Sequence, residues 1–171
     1  MGRLVFAWGI LGVTAILTQA LVRLAPLAYA AIEGGLSAVQ WGLLVVWVAM
    51  MAHAEGYRGF HRRFSPRVVA RALWLRDNPR PLFAVFAPLF CMSLFHATKR
   101  GVWTARILVL GILGLILVVR TLSQPWRGII DAGVVVGLAI GLASMLGYAV
   151  RALLGTPPPV PPDLPEATPD R

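Results

Sequence analysis

Apolar residues along this chain fall into long runs, separated by short and mostly basic breaks. The first run, Leu4–Val22, holds nineteen residues between Arg3 and Arg23. At ~1.5 Å of rise per residue it just matches a hydrocarbon core of about 30 Å. Its polar positions, Thr14, Thr18 and Gln19, are expected to face other helices. The stretch 24–37 reads as a short connection, with Pro26 and the Gly34-Gly35 pair as breakers. Nineteen more residues lie between Glu33 and His53. They predict a helix over 36–55, with Gln40 and Trp41 at one membrane edge.

The helical pattern runs on past His53. At about 100° per residue, His53, Tyr57, Phe60, His61 and Phe64 share one side. Glu55, Arg58 and Arg62 take the other, where Glu55 can pair with Arg58 one turn on. Ser65-Pro66 reads as an N-cap and a first-turn proline opening a helix over 66–76. Val68, Val69, Ala72, Leu73 and Leu75 form its apolar side, opposite Arg67, Arg71 and Trp74. That helix is too short to span and suits an anionic membrane surface. The run 81–97 contains Pro88 and reads as a short kinked span or a re-entrant hairpin. Spans are predicted over 102–120 and 128–152, the last carrying Gly133, Gly137 and Gly141 at steps of four.

The fold class expected is all-α and integral to the membrane. It is a small bundle of four or five hydrophobic helices plus one cytoplasmic amphipathic interfacial helix. Helices 4–22, 36–55, 66–76, 81–97, 102–120 and 128–152 make a membrane domain over 1–154. Residues 155–171 are rich in Pro, lack an apolar face and read as a disordered tail.

Composition sharpens this picture. The chain of 171 residues is 58% hydrophobic and 13% charged. A soluble domain typically carries about 25% charged residues. The net charge of +9 comes nearly all from arginine. In an apolar chain this fits the positive-inside rule and contact with anionic headgroups better than binding to nucleic acid. The arginine bias also points to a bacterial inner membrane. Omitting Arg171 leaves fifteen Lys and Arg residues. Five spans with the N-terminus inside divide them ten to five, and four spans plus a hairpin divide them twelve to three. Both schemes place the N-terminus and the His53–Arg80 stretch in the cytoplasm. Five spans are the reading adopted, because a short run of apolar residues can cross a locally thinned bilayer. The N-terminal run is read as a retained span and not a cleaved signal. Ala28-Tyr29-Ala30 resembles a cleavage site, but Arg23 intervenes and the apolar run is too long.

Candidate chemistry is sparse. Arg58, Arg62, Arg63, Arg67, Arg71, Trp74 and Arg76 form the expected surface for anionic lipid or a membrane partner subunit. Gly133, Gly137 and Gly141 form a helix-packing stripe. Asp131 is the candidate ion or proton site, with an ion pair to Arg127 as the plainer role. His53 and His96 are the candidate metal or heme ligands, joined only in the hairpin reading. A single cysteine, Cys91, excludes an internal disulfide. No phosphate loop, nucleophile triad or HExxH motif is present. The reading is therefore a non-enzymatic assembly or accessory subunit without a cofactor, with a transport or channel subunit using Asp131 as the alternative.

Overall fold

The computed structural model describes residues 1–165. Among them the chain is all helical, without strands, and four helices are long and apolar enough to cross a membrane. Helix α1 spans Gly2–Glu33 and does not stop at Pro26. A proline removes one N–H from the ladder, which a helix packed along its length can lose. Gly34 and Gly35 end it instead, and Gly35 turns left-handed at φ +81°. Helix α2 spans Ala38–Met51 and opens on a reciprocal cap, in which Ser37 and Gln40 each accept from the other's backbone N–H.

A thirteen-residue π-helical segment, Ala52–Phe64, continues α2 directly into α3, Ser65–Asp77. In a π turn the backbone bonds i to i+5, so facing residues fall four or five apart. Met51, Glu55, Phe60 and Ser65 follow that spacing, and all four meet the last helix. This is why Glu55 does not pair with Arg58 as the α-helical phase predicts. Ser65 is not an N-cap either, because the helix never breaks there. Its hydroxyl donates to Gly141 O at 3.1 Å.

The run 81–97 is not a span. It forms α4, Pro81–Val85, and α5, Ala87–Cys91, of five residues each, followed by irregular backbone. Pro81 lies beside Met1 and Leu4, and Pro88 lies against Gly12. The segment therefore descends beside α1 for about 16 Å at helical rise. It then returns to Thr98, the N-cap of α6, Lys99–Arg120. Helix α7, Trp126–Leu153, completes the bundle.

The core joins α1, α3, α5 and α7, with Val13, Val69, Leu75, Ala87, Phe90 and Met145 at its centre. Helix α3 is part of this core. The amphipathic helix expected on the membrane surface buries Val68, Val69, Ala72 and Leu75 against neighbouring helices and leaves no free apolar face.

The glycines of α7 lie against large side chains of the α2–π unit. Gly133 faces the Trp47 indole, Gly137 the Glu55 carboxylate and Gly141 the Phe60 ring. A Cβ at Gly141 would lie 2.5 Å from that ring. Gly141→Leu should therefore cost about 1–3 kcal/mol by overpacking. Gly114 of α6 has no atom within 4 Å of its added Cβ. Gly114→Leu in the purified protein should not destabilise, and the gain in helix propensity should raise stability by up to about 1 kcal/mol. Thermal unfolding in mild detergent compares the two, and equal stabilities would mean the stripe is not packed.

Candidate functional site

Where a backbone leaves the helix inside a bundle, its carbonyls lose their intrahelical donors. Unpaired in an apolar setting, each costs about 1–3 kcal/mol. The return leg of the 81–98 hairpin has this problem, with Ser93 and His96 in left-handed conformations at φ 62° and 49°. A single side chain answers it. Arg71 of α3 is 0% exposed and reaches into the hairpin. Its Nε donates to Phe90 O at 2.6 Å. Its Nη2 donates to Phe95 O and His96 O at 3.1 and 2.9 Å. Its Nη1 donates to Pro162 O and Asp163 O at 2.9 and 3.2 Å. The guanidinium also lies 4.1 Å over the Phe90 ring.

The last two acceptors come from the C-terminal tail. Residues 156–165 have no regular structure, as the proline content predicts, yet Pro162–Leu164 is docked. Asp163 Oδ1 accepts from Thr98 Oγ1 at 3.0 Å, and Asp163 O accepts from Thr98 N–H at 3.2 Å. Oδ2 rests on Gly101, where a Cβ would fill its seat. Thr98 Oγ1 meanwhile accepts from Gly101 N–H at 3.0 Å as the cap of α6. Leu164 packs onto the core. The rest of the predicted tail, 166–171, lies outside the described residues.

The other expected site residues are distributed as follows. Arg58, Arg62 and Arg63 are exposed, and Arg62 lies 5.9 Å over the Tyr57 ring. Arg67 is half-buried, and Arg76 holds Asp77 at 2.8 Å. Arg71 departs from the expected lipid-facing set, because backbone carbonyls and not phosphates surround it. Trp74 is half-buried and stacks on Phe90 with centroids 5.7 Å apart. Asp131 is buried, with Oδ2 3.8 Å from Arg127 Nε, and neither atom has a hydrogen-bond partner among the described residues. The histidines have different neighbours. His53 is exposed beside Tyr57, whereas His96 lies 4.6 Å from the Phe83 ring. Among the described residues no group of three or more His, Cys, Asp or Glu could hold a metal ion. Tyr57 also stacks on His61, whose Nδ1 shares a 3.0 Å hydrogen bond with Ser144 Oγ.

Sequence reading missed Thr98, Gly101 and Asp163. The one signal for them is local: Asp163 and Leu164 interrupt a proline-rich stretch with a charge and an apolar side chain. No protein-family model, curated protein or solved structure matches the chain.

Two outcomes follow from this geometry. Arg71→Met leaves Phe95 O and His96 O without their donor, while Phe90 O keeps Ser93 N–H, and each orphaned carbonyl costs about 1–3 kcal/mol. Arg71→Lys keeps the charge but lacks the planar fork, so it should lose less in thermal unfolding and release the tail to limited proteolysis. A tail equally protected in Arg71→Lys would show that the guanidinium does not hold it. The second outcome concerns pH. Burial, with the charges of Arg71 and Arg80, holds the His96 imidazole below its ordinary 6.5. The unfolded chain then takes up this proton first, so the stability His96 contributes is present above pH ~6.5 and falls as pH drops below it. His96→Asn, which tolerates the left-handed backbone, should flatten the loss of Tm between about pH 7 and 5. An unchanged slope would assign it to another group.

Proposed function

We propose that this chain is an integral-membrane assembly or accessory subunit, and that α6 is the helix it offers to a partner subunit. The observation that carries this reading is the isolation of α6. Of its 22 residues only Gly101 and Val119, near its two ends, are buried. Trp103, Ile107, Leu110, Leu113 and Leu117 are all more than half exposed. Nothing lies within 4 Å of a Cβ added at Gly111 or Gly114. A glycine inside a helix costs about 0.5–1 kcal/mol relative to alanine. In a membrane that cost is recovered when a neighbouring helix packs into the space, as the large side chains Trp47, Glu55 and Phe60 do over Gly133, Gly137 and Gly141 of α7 within the chain.

Charge supports an orientation. With four spans, twelve of the fifteen Lys and Arg residues before Arg171 fall toward the end that carries the hairpin, and Arg23, Arg120 and Arg127 toward the other. The positive-inside rule makes the hairpin end cytoplasmic, together with both termini, in a bacterial inner membrane. There the exposed Arg58, Arg62 and Arg63, with Arg67 and Arg76, meet anionic headgroups, each worth about 1 kcal/mol near the surface.

Photo-crosslinking in native membranes tests the subunit reading. A probe at Ile107, on the Gly111 side of α6, should yield one discrete protein adduct, and a probe at Leu113, on the opposite side, should yield lipid adducts. Lipid adducts alone at both positions would remove the partner. Cysteine labelling with an impermeant reagent fixes the side. Ser123→Cys should react in intact cells and Arg63→Cys only after they are opened, and the reverse pattern would invert the orientation.

A further inference from the structure

The docked tail is a ligand in all but its covalent connection. Three groups from separate parts of the fold converge on it: Arg71 of α3, Thr98 at the hairpin's end and Gly101 in the first turn of α6. The chemistry they recognise is specific. Arg71 Nη1 takes two consecutive main-chain carbonyls, of Pro162 and Asp163, so the recognised group is a peptide backbone. Thr98 Oγ1 and the open seat over Gly101 take a carboxylate. Proline fits at position 162 because it has no N–H that would need an acceptor there. Aspartate tolerates the left-handed φ of 52° that turns residue 163 toward both partners.

The connection to the bundle is slight. After Thr156 N–H bonds Arg151 O, no backbone hydrogen bond among the described residues ties residues 157–162 to the bundle through their own N–H groups. Five of those six residues are proline, which favours an extended arm of about 3.1 Å per residue. Such an arm holds its end near the recess at high effective concentration without fixing it there.

We propose that the recess formed by Arg71, Thr98 and Gly101 is a receptor for an extended acidic peptide, filled in cis by Pro162–Leu164 and open to exchange for a segment of the same chemistry on a partner protein. The proposal stands independently of α6 pairing. Exchange would change the contacts of Arg71 and of the α6 N-terminus together, because Asp163 touches both.

The test uses the chain ended after Gly155 and a labelled peptide with the sequence Thr156–Arg171. In detergent the shortened protein should bind the peptide saturably, and the full chain should bind it at least tenfold more weakly. Asp163→Asn in the peptide keeps the backbone tolerance and removes the charge, so it should weaken binding by roughly ten- to a hundredfold. Gly101→Ala in the shortened protein should abolish binding by filling the carboxylate seat, while a helix-favouring alanine leaves α6 formed. If the shortened protein does not fold, the full chain carrying Asp163→Asn takes its place and should bind the wild-type peptide. The proposal fails if neither protein binds the peptide, if the full chain binds it as well as the shortened one, or if Gly101→Ala leaves binding unchanged.

Discussion

Every carbonyl that leaves a helix inside an apolar bundle needs a donor, and here one guanidinium supplies five. The hairpin over 81–98 depends on that supply. Without it, the descent beside α1 would end in unpaired backbone, and the chain would have to cross or withdraw. Arg71 can take this role because its donors lie in one plane and point in fixed directions. Its position follows from α3 being driven into the core by Val68, Val69, Ala72 and Leu75. The apolar side of α3 therefore decides where the charge goes, and the charge decides what the hairpin can do.

A second constraint is the phase of the helix that delivers α3. An α-helical turn through residues 52–64 would face a different set of side chains toward α7. The π segment brings Glu55 and Phe60 over Gly137 and Gly141, and sets Ser65 to bond Gly141 O. Steps of four on α7 meet steps of four and then five on its neighbour, and the glycines absorb the mismatch in bulk. Gly56, placed against Ile140, does the same from the other side.

The all-helical class and the long apolar helices were legible from periodicity, because those depend on runs of many residues. The break at 81–97 was only half legible. Pro88 announces a kink, but whether a kinked run crosses depends on a donor seventeen residues earlier, Arg71, which looks in the sequence like one more member of a basic cluster. Its burial shows only through packing, between the small Ala70 and Ala72. Pro26 misled in the opposite direction, since α1 has enough partners along its length to carry one missing hydrogen bond. The docking of Pro162–Leu164 was the least legible, because the absence of an apolar face excludes a packed helix and says nothing about a few residues gripped by a side chain elsewhere.

The long separation between Arg71 and Asp163 bears on biosynthesis. The two are 92 residues apart in sequence. A chain that has formed α1 through α6 holds Phe90 O, Phe95 O and His96 O on Nε and Nη2, while Nη1 has no acceptor from the tail. The N-terminus of α6 likewise lacks its carboxylate until Asp163 emerges from the ribosome. Completion of this end of the protein thus waits on Pro162–Leu164, and a chain interrupted before Pro162 leaves its most buried charge incompletely held.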